Sequence, residues 1–484
     1  MVSIKKNFYY NSILTISGYL FPILTFPYVT RVLGVSNIGI YNFVDSIIQY
    51  FTMLSMLGIT TIGIREIAKH KSNKSDLSRV FSSLFTLNLI TTSLAILVLI
   101  VSSFFISRLY EYQEMIYIGC ARLLFNALLI EWLYKGIENF KYITYRSICI
   151  RLLYVVSIFV FVREENDYVV YFGITALLVV LNALINLNYS RNYVKFSFEK
   201  ITLKPYVKPL LTLGLYQILT SMYTSFNVMY LGFTCGELQV GYYSTSVKLY
   251  TIILSFFTAF TGVMLPRMST LIGEGKLDEF KEMTSKSINL LLAFVMPLIV
   301  ICEVYSSDII YILAGYGYEG AIVPMRLVIP LIFIIGYEQI LIIQILSPMR
   351  KDKSILINSV WGASIAILSN LIFVKKLGAT GSSIVWLLAE ITVLISAQYY
   401  VSKYIKYKFP VREIMREVFY LIPILLLNII CYKIINIPFL SLFIGILITG
   451  IYYTIVICFI HKNTVINTNI NKLLKKCDIQ YQLP

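Results

Sequence analysis

The sequence predicts an all-α protein that crosses a membrane about fourteen times. Three observations predict it. Hydrophobic residues make up 58% of the 484 residues and charged residues 14%, where a soluble domain averages roughly 25% charged. The mean hydropathy is +0.77. Apolar runs of about 20 residues, enough to cross a bilayer as helix, recur from one end of the chain to the other.

Taken in order, the expected spans are Tyr10–Val32, Ile38–Ile64, Val80–Ile106, Met115–Tyr134, Ile148–Val162, Tyr168–Leu187 and Pro209–Phe233. The second set is Gly241–Leu265, Ile288–Val304, Ala321–Leu346, Ile355–Val374, Thr380–Val401, Val418–Ile435 and Phe439–Ile460. The first follows Lys5 and Lys6 and is too long for a signal peptide's apolar core, so it reads as an uncleaved span. Pro22 and Pro27 lie within it and predict a bent or broken helix.

The connections alternate in charge. Those on the side of the N-terminus carry Arg65, Lys69, Lys71, Lys74 and Arg79; Lys135, Lys141 and Arg146; and the run from Arg191 to Lys208. They continue with Arg267, Lys276, Lys281 and Lys286, then Arg350, Lys351 and Lys353, then Lys403 to Arg416. With the termini this makes about thirty positive charges against about six on the other side, which places both termini in the cytoplasm. The acidic turn Arg163-Glu164-Glu165-Asn166-Asp167 falls outside. The net charge of +16 is thus explained by cytoplasmic loops facing anionic lipid, with no need for nucleic acid. No connection is long enough to form a domain. The longest, about twenty residues between spans eight and nine, reads as an amphipathic helix.

Metal and cofactor chemistry find no support. The seven cysteines (120, 149, 235, 302, 431, 458 and 477) are scattered without a CxxC pair, and the two histidines, His70 and His461, stand beside lysines in loop or tail.

An internal repeat organises the spans. An offset of 202 positions aligns Tyr28 with Tyr230, Gly34 with Gly236, Gly39 with Gly241, Tyr41 with Tyr243 and Arg65 with Arg267. It continues through Lys74/Lys276, Asp76/Asp278 and Ser83/Ser285. The identity is modest, but the matches fall at the turn between spans one and two and recur between seven and eight. Six spans separate the copies, so both halves enter the membrane the same way, as in transporters with two parallel bundles. The expected division is 1–208 for one six-helix bundle, 209–402 for the other, and 403–484 for two further helices and a basic tail.

Ionisable residues inside the spans each cost at least ~2.5–3.5 kcal/mol at the bilayer centre and mark candidate sites. Asp45 and Lys248 lie at nearly equivalent repeat positions. They would face each other across a central cavity and pair in one of its two states, unless each snorkels or pairs locally with another span. Glu338 and Glu390, deeper in spans ten and twelve, suit proton or cation coupling, or else a neutral acid bonded between helices. Arg31, Arg122 and Arg326 are candidates for phosphate contact through the guanidinium fork, Arg122 being the deepest. Arg65 and Arg267 stand at matching cytoplasmic positions, where they meet an incoming headgroup or simply set topology. Glu131 and Arg151, near inner span ends, read as structural.

Several motifs carry a family resemblance. Phe26-Pro27-Tyr28-Val29-Thr30-Arg31-Val32-Leu33-Gly34, continuing to Gly39-Ile40-Tyr41, resembles the opening signature of Wzx-type polysaccharide flippases of the multidrug/oligosaccharidyl-lipid/polysaccharide exporter superfamily. Leu57-Gly58, Arg65-Glu66-Ile67-Ala68, Pro324-Met325-Arg326-Leu327, Gly378-Ala379-Thr380-Gly381 and Glu390 follow in order. The resemblance covers spans one to twelve.

It implies a bacterial inner-membrane flippase that moves an undecaprenyl-diphosphate-linked oligosaccharide from inner to outer leaflet. The surface product would be O-antigen, capsule or a related polysaccharide. The implied mechanism is alternating access, with proton or sodium exchange as the candidate drive. Spans thirteen and fourteen would flank a groove for the lipid tail, and a polysaccharide polymerase would be the downstream partner. A drug or cation exporter of the same superfamily is the nearest rival. A polymerase or ligase would need a large outer loop, a nucleotide-sugar transferase a DxD motif, and an ATP-driven pump a GxxxxGK[ST] loop; the sequence has none of these.

Overall fold

The computed structural model describes residues 4–197, 201–222 and 225–455. The tail beyond residue 455, with Cys458, His461 and Cys477, lies outside them. Among the described residues the ordered elements are helices, and eleven are long and apolar enough to cross a membrane. The expected spans fall on them in order. Ile13–His70 carries spans one and two, Asp352–Ile405 carries eleven and twelve, and nine others carry one each. Span seven is the exception, falling on two shorter helices, Lys204–Ser221 and Ser225–Cys235.

The breaks fall at glycines. Helix Ile4–Met56 runs through Pro22 and Pro27 unbroken and leaves helical geometry only at Gly34 (φ 72°, ψ 170°). The expected proline break is therefore displaced to the turn. The hydroxyl of Thr30 bonds back to the Phe26 carbonyl at 2.9 Å, an intrahelical bond that keeps this side chain's polarity satisfied within the apolar span. In the later pair Gly378 (φ 56°) has the same role. The expected helical connection between spans eight and nine is supplied by the ends of the two flanking helices. Helix Glu237–Gly273 continues past the apolar stretch and Leu277–Val304 begins almost at once, so both helices project beyond the apolar segment.

The chain groups into two compact units. The first holds Met1–Thr245, Leu313–Pro324 and Ser359–Ala389. Within it the two repeat-related turns pack on each other reciprocally. A Cβ added to Gly39 would overlap the Glu237 carbonyl, and one added to Gly241 would overlap the Val35 carbonyl. Gly34 and Gly236 share positive φ values of 72° and 82°. Asn37 donates to the Glu165 carbonyl at 2.8 Å in the connection after span five, and Gln239 accepts from the Ala379 amide at 2.9 Å in the connection after span eleven. Asn37 and Gln239 stand 202 positions apart, as do the members of the reciprocal glycine contacts, the self-complementary pattern of an approximate twofold.

The same unit buries a core of Ile59, Ile67, Phe81, Leu84, Trp132 and Leu133. Beside it Arg146, almost fully buried, meets Glu131 at 2.6 Å and also bonds to Asn186. Arg151 donates to the Leu14 carbonyl at 2.7 Å. Both arginines thus brace helix against helix.

The second unit holds Ser246–Ile312, Met325–Asn358 and the chain from Glu390 on. Leu421, Ile424 and Tyr453 pack there against Ala293, Met296 and Val300. Tyr453 donates to the buried Glu417 at 2.6 Å.

Candidate substrate cavity

A cavity of about 500 Å³ opens inside the first unit. Five sections of helix wall it. Span two contributes Gln49, Thr52, Met53 and Met56; helix Gln113–Ala127 contributes Arg122 and Asn126; helix Tyr168–Ser190 contributes Val179. Gln217, Thr220, Ser221 and Ser225 come from the two helices that carry span seven. Spacings of three, four and seven residues bring such groups onto one side of a helix, so their polar atoms converge while the other sides stay apolar.

At the edge of this cavity Arg122 reaches Asp45 with Nη1–Oδ1 at 2.5 Å. Gln49 donates to the other carboxylate oxygen, also at 2.5 Å. The guanidinium carbon lies 5.9 Å from the centre of the Phe172 ring, so the cation is faced by a carboxylate and by an aromatic ring. A charge inside a membrane is tolerable when compensated in this way. Asp45 does take part in an ion pair, but with Arg122 of span four; Lys248 falls in the second unit.

The other candidate residues are placed as follows. Arg31 is exposed, donates to the Pro27 carbonyl at 2.7 Å and packs against Gly315. The tip of that same connection is tied to span one by the Tyr318 hydroxyl, which donates to the Thr30 carbonyl at 3.1 Å. Arg326, exposed in the second unit, donates from Nε to Ser306 at 2.7 Å. Arg65 lies beside Glu66 at 3.2 Å and Arg267 is exposed on the projecting end of its helix. Glu338 and Glu390 come together in the second unit, their carboxyl groups hydrogen-bonded to each other. A π-helical stretch, Ile340–Leu346, begins two residues after Glu338, a distortion frequent at functional sites.

Charge had drawn attention to Asp45 and Arg122, whereas the uncharged lining was not singled out. Gln49, Thr52, Asn126, Gln217, Thr220 and Ser221 carried one legible signal, polar residues at helical spacing within apolar spans.

On the expected outer side, Glu237 accepts from Arg108 at 2.7 Å and from Tyr112 at 2.8 Å. Burial and the Glu237 carboxylate push the Tyr112 phenol above its ordinary range.

Apolar helices enclosing a compensated ion pair and a polar cavity define the class, a multi-pass membrane protein of the transporter kind. The chain belongs to the family of polysaccharide biosynthesis proteins, whose family model matches residues 4–272. The resemblance to Wzx-type polysaccharide flippases is upheld at that level.

Two curated relatives are named as O-antigen transporters. That of Escherichia coli (strain K12) is 24% identical over 73% of this chain and 85% of its own length. That of Shigella dysenteriae is 23% identical over 81% and 98%. Among solved structures, the lipid II flippase MurJ in an inward closed conformation superposes with a TM-score of 0.76 at 15% identity, covering 94% of this chain and 98% of that one. A multidrug resistance MATE family transporter of the MOP superfamily, inward-facing, gives 0.59 at 14% identity, over 84% and 96%. These likenesses establish the fold.

Proposed function

We propose that this protein is a flippase for a lipid-linked oligosaccharide, carrying an undecaprenyl-diphosphate-linked repeat unit from the inner to the outer leaflet of a bacterial cytoplasmic membrane. The observation that carries the reading is the cavity of about 500 Å³ lined by amides and hydroxyls among membrane-spanning helices. Such a space solvates a polar headgroup where lipid cannot. Both termini face the cytoplasm, and the bundles 1–208 and 209–402 alternate in opening to the two sides, followed by two added helices. Arg65 and Arg267 meet the incoming headgroup at the cytoplasmic mouth. The Glu338–Glu390 pair couples the cycle to protons or sodium, because two carboxyls in hydrogen-bond contact change their joint charge on binding or losing one cation. A polysaccharide polymerase takes the product.

The test is deletion of the gene in its native host, with mass spectrometry of surface polysaccharide and lipid-linked intermediates. The expected outcome is loss of the polysaccharide with the repeat unit trapped on the cytoplasmic leaflet. Normal polysaccharide with altered drug tolerance would assign the protein to the drug-exporter branch instead.

A further inference from the structure

We propose that the cavity is a subsite for uncharged sugars, and that the Asp45–Arg122 pair keeps anionic groups out of it. The proposal rests on the flippase reading and adds which part of the cargo this cavity takes.

The first ground is charge. Among the described residues that line the cavity the only ionisable one is Arg122, and its guanidinium is bonded to Asp45 at 2.5 Å. An incoming phosphate or carboxylate would have to compete with a carboxylate already in place. It would also lose its own hydration on entering, and no uncompensated cation would repay that loss.

The second ground is the polarity of the hydrogen bonds. Thr52 spends its hydroxyl hydrogen on the Ile48 carbonyl at 2.8 Å, and Thr220 spends its own on the Gln217 carbonyl at 2.9 Å. Ser221 does the same toward Ile218 at 2.7 Å. Gln49 directs one amide hydrogen to Asp45 and keeps its carbonyl oxygen as an acceptor. The wall therefore sets hydroxyl acceptors beside the side-chain amides of Gln49, Asn126 and Gln217, which both donate and accept. Sugar hydroxyls and acetamido groups both donate and accept and so match it; carboxylates and phosphates are acceptors only and satisfy just part of it. A site built for groups that both donate and accept rejects a ligand that leaves its buried groups unmatched.

The experiment measures binding to the purified full-length protein in nanodiscs. The probes are undecaprenyl diphosphate alone, the same carrier bearing a neutral N-acetylated trisaccharide, and the carrier bearing a trisaccharide in which one residue is a uronic acid. The neutral glycan should bind about 10-fold more tightly than the acidic one. Asp45→Asn, which leaves the Arg122 charge uncompensated, should erase or invert that preference. The double variant Asp45→Asn/Arg122→Gln should restore it. Thr52→Val and Thr220→Val, which keep shape and remove the acceptor, should each weaken the neutral glycan without affecting the carrier alone, and they test the proposal should Asp45→Asn not fold. Equal or tighter binding of the acidic glycan by the native protein overturns the proposal and leaves flipping intact. An unchanged preference in Asp45→Asn, or valine variants that bind like the native protein, overturns it as well. If neither glycan adds to the affinity of the carrier alone, the subsite and the flippase reading fall together.

Discussion

Arg108 and Glu237 form an ion pair at 2.7 Å that ties the connection after span three to the turn before span eight, within one compact unit. Tyr112 completes it from the same connection. The two charged side chains are 39% and 20% exposed, so the pair contributes no more than about 1 kcal/mol to stability. Glu237→Gln should leave the melting temperature nearly unchanged. It should raise the labelling of a cysteine placed at Val35 by a membrane-impermeant maleimide, because the tether loosens on that side. Unaltered labelling would show that the pair does not hold the turn.

Gly39→Ala and Gly241→Ala should each reduce stability by roughly 1–3 kcal/mol, since each adds a methyl group where a backbone carbonyl already lies and backbone yields little. Thermal unfolding in detergent measures this. The reciprocity of the contact predicts similar losses for the two. Gly173→Ala, where an added Cβ meets no atom within 4 Å, is the control and should be nearly neutral.

Removing one member of the Asp45–Arg122 pair should cost about 2–4 kcal/mol, somewhat less than for a fully buried pair because the side chains are 12% and 19% exposed. The double variant Asp45→Asn/Arg122→Gln should cost less than the sum of the two single losses, since it leaves no uncompensated charge. Additive losses would show that the two residues act independently.

Tyr453→Phe should destabilise the protein by about 1–3 kcal/mol, the penalty of leaving the buried Glu417 carboxyl short of a donor. The effect should appear in unfolding, with substrate preference unchanged.

Glu338→Gln and Glu390→Gln should each abolish the response of transport to an imposed proton or sodium gradient, while binding of the neutral lipid-linked glycan persists. A response equal to that of the native protein in both variants would remove the pair from coupling.

The helices were legible because the bilayer imposes a simple rule, about 20 apolar residues per crossing, and the turn at Gly34 because glycine tolerates its dihedrals. The partner of Asp45 was not legible. Asp45 and Lys248 looked suited by repeat position, but Asp45 meets Arg122 because spans two and four are neighbours, a fact of packing that periodicity does not carry. Pro22 and Pro27 predicted a bend or a break, and the break falls elsewhere. A proline removes one donor, and helix Ile4–Met56 tolerates both losses without a break, whereas the Gly34 dihedrals end helical geometry outright. Gln49, Asn126 and Gln217 gain meaning only once three helices face a common space.

The compensated pair beside the cavity also has an electrical consequence. Moving one elementary charge through the full membrane potential involves about 2.3 kcal/mol per 100 mV. Asp45 and Arg122, held at 2.5 Å, sum to zero net charge, so displacing that wall toward either leaflet moves a small dipole and does almost no electrical work. The voltage across the bilayer therefore acts on whatever charged cargo or coupling ion crosses, and the wall itself is electrically silent.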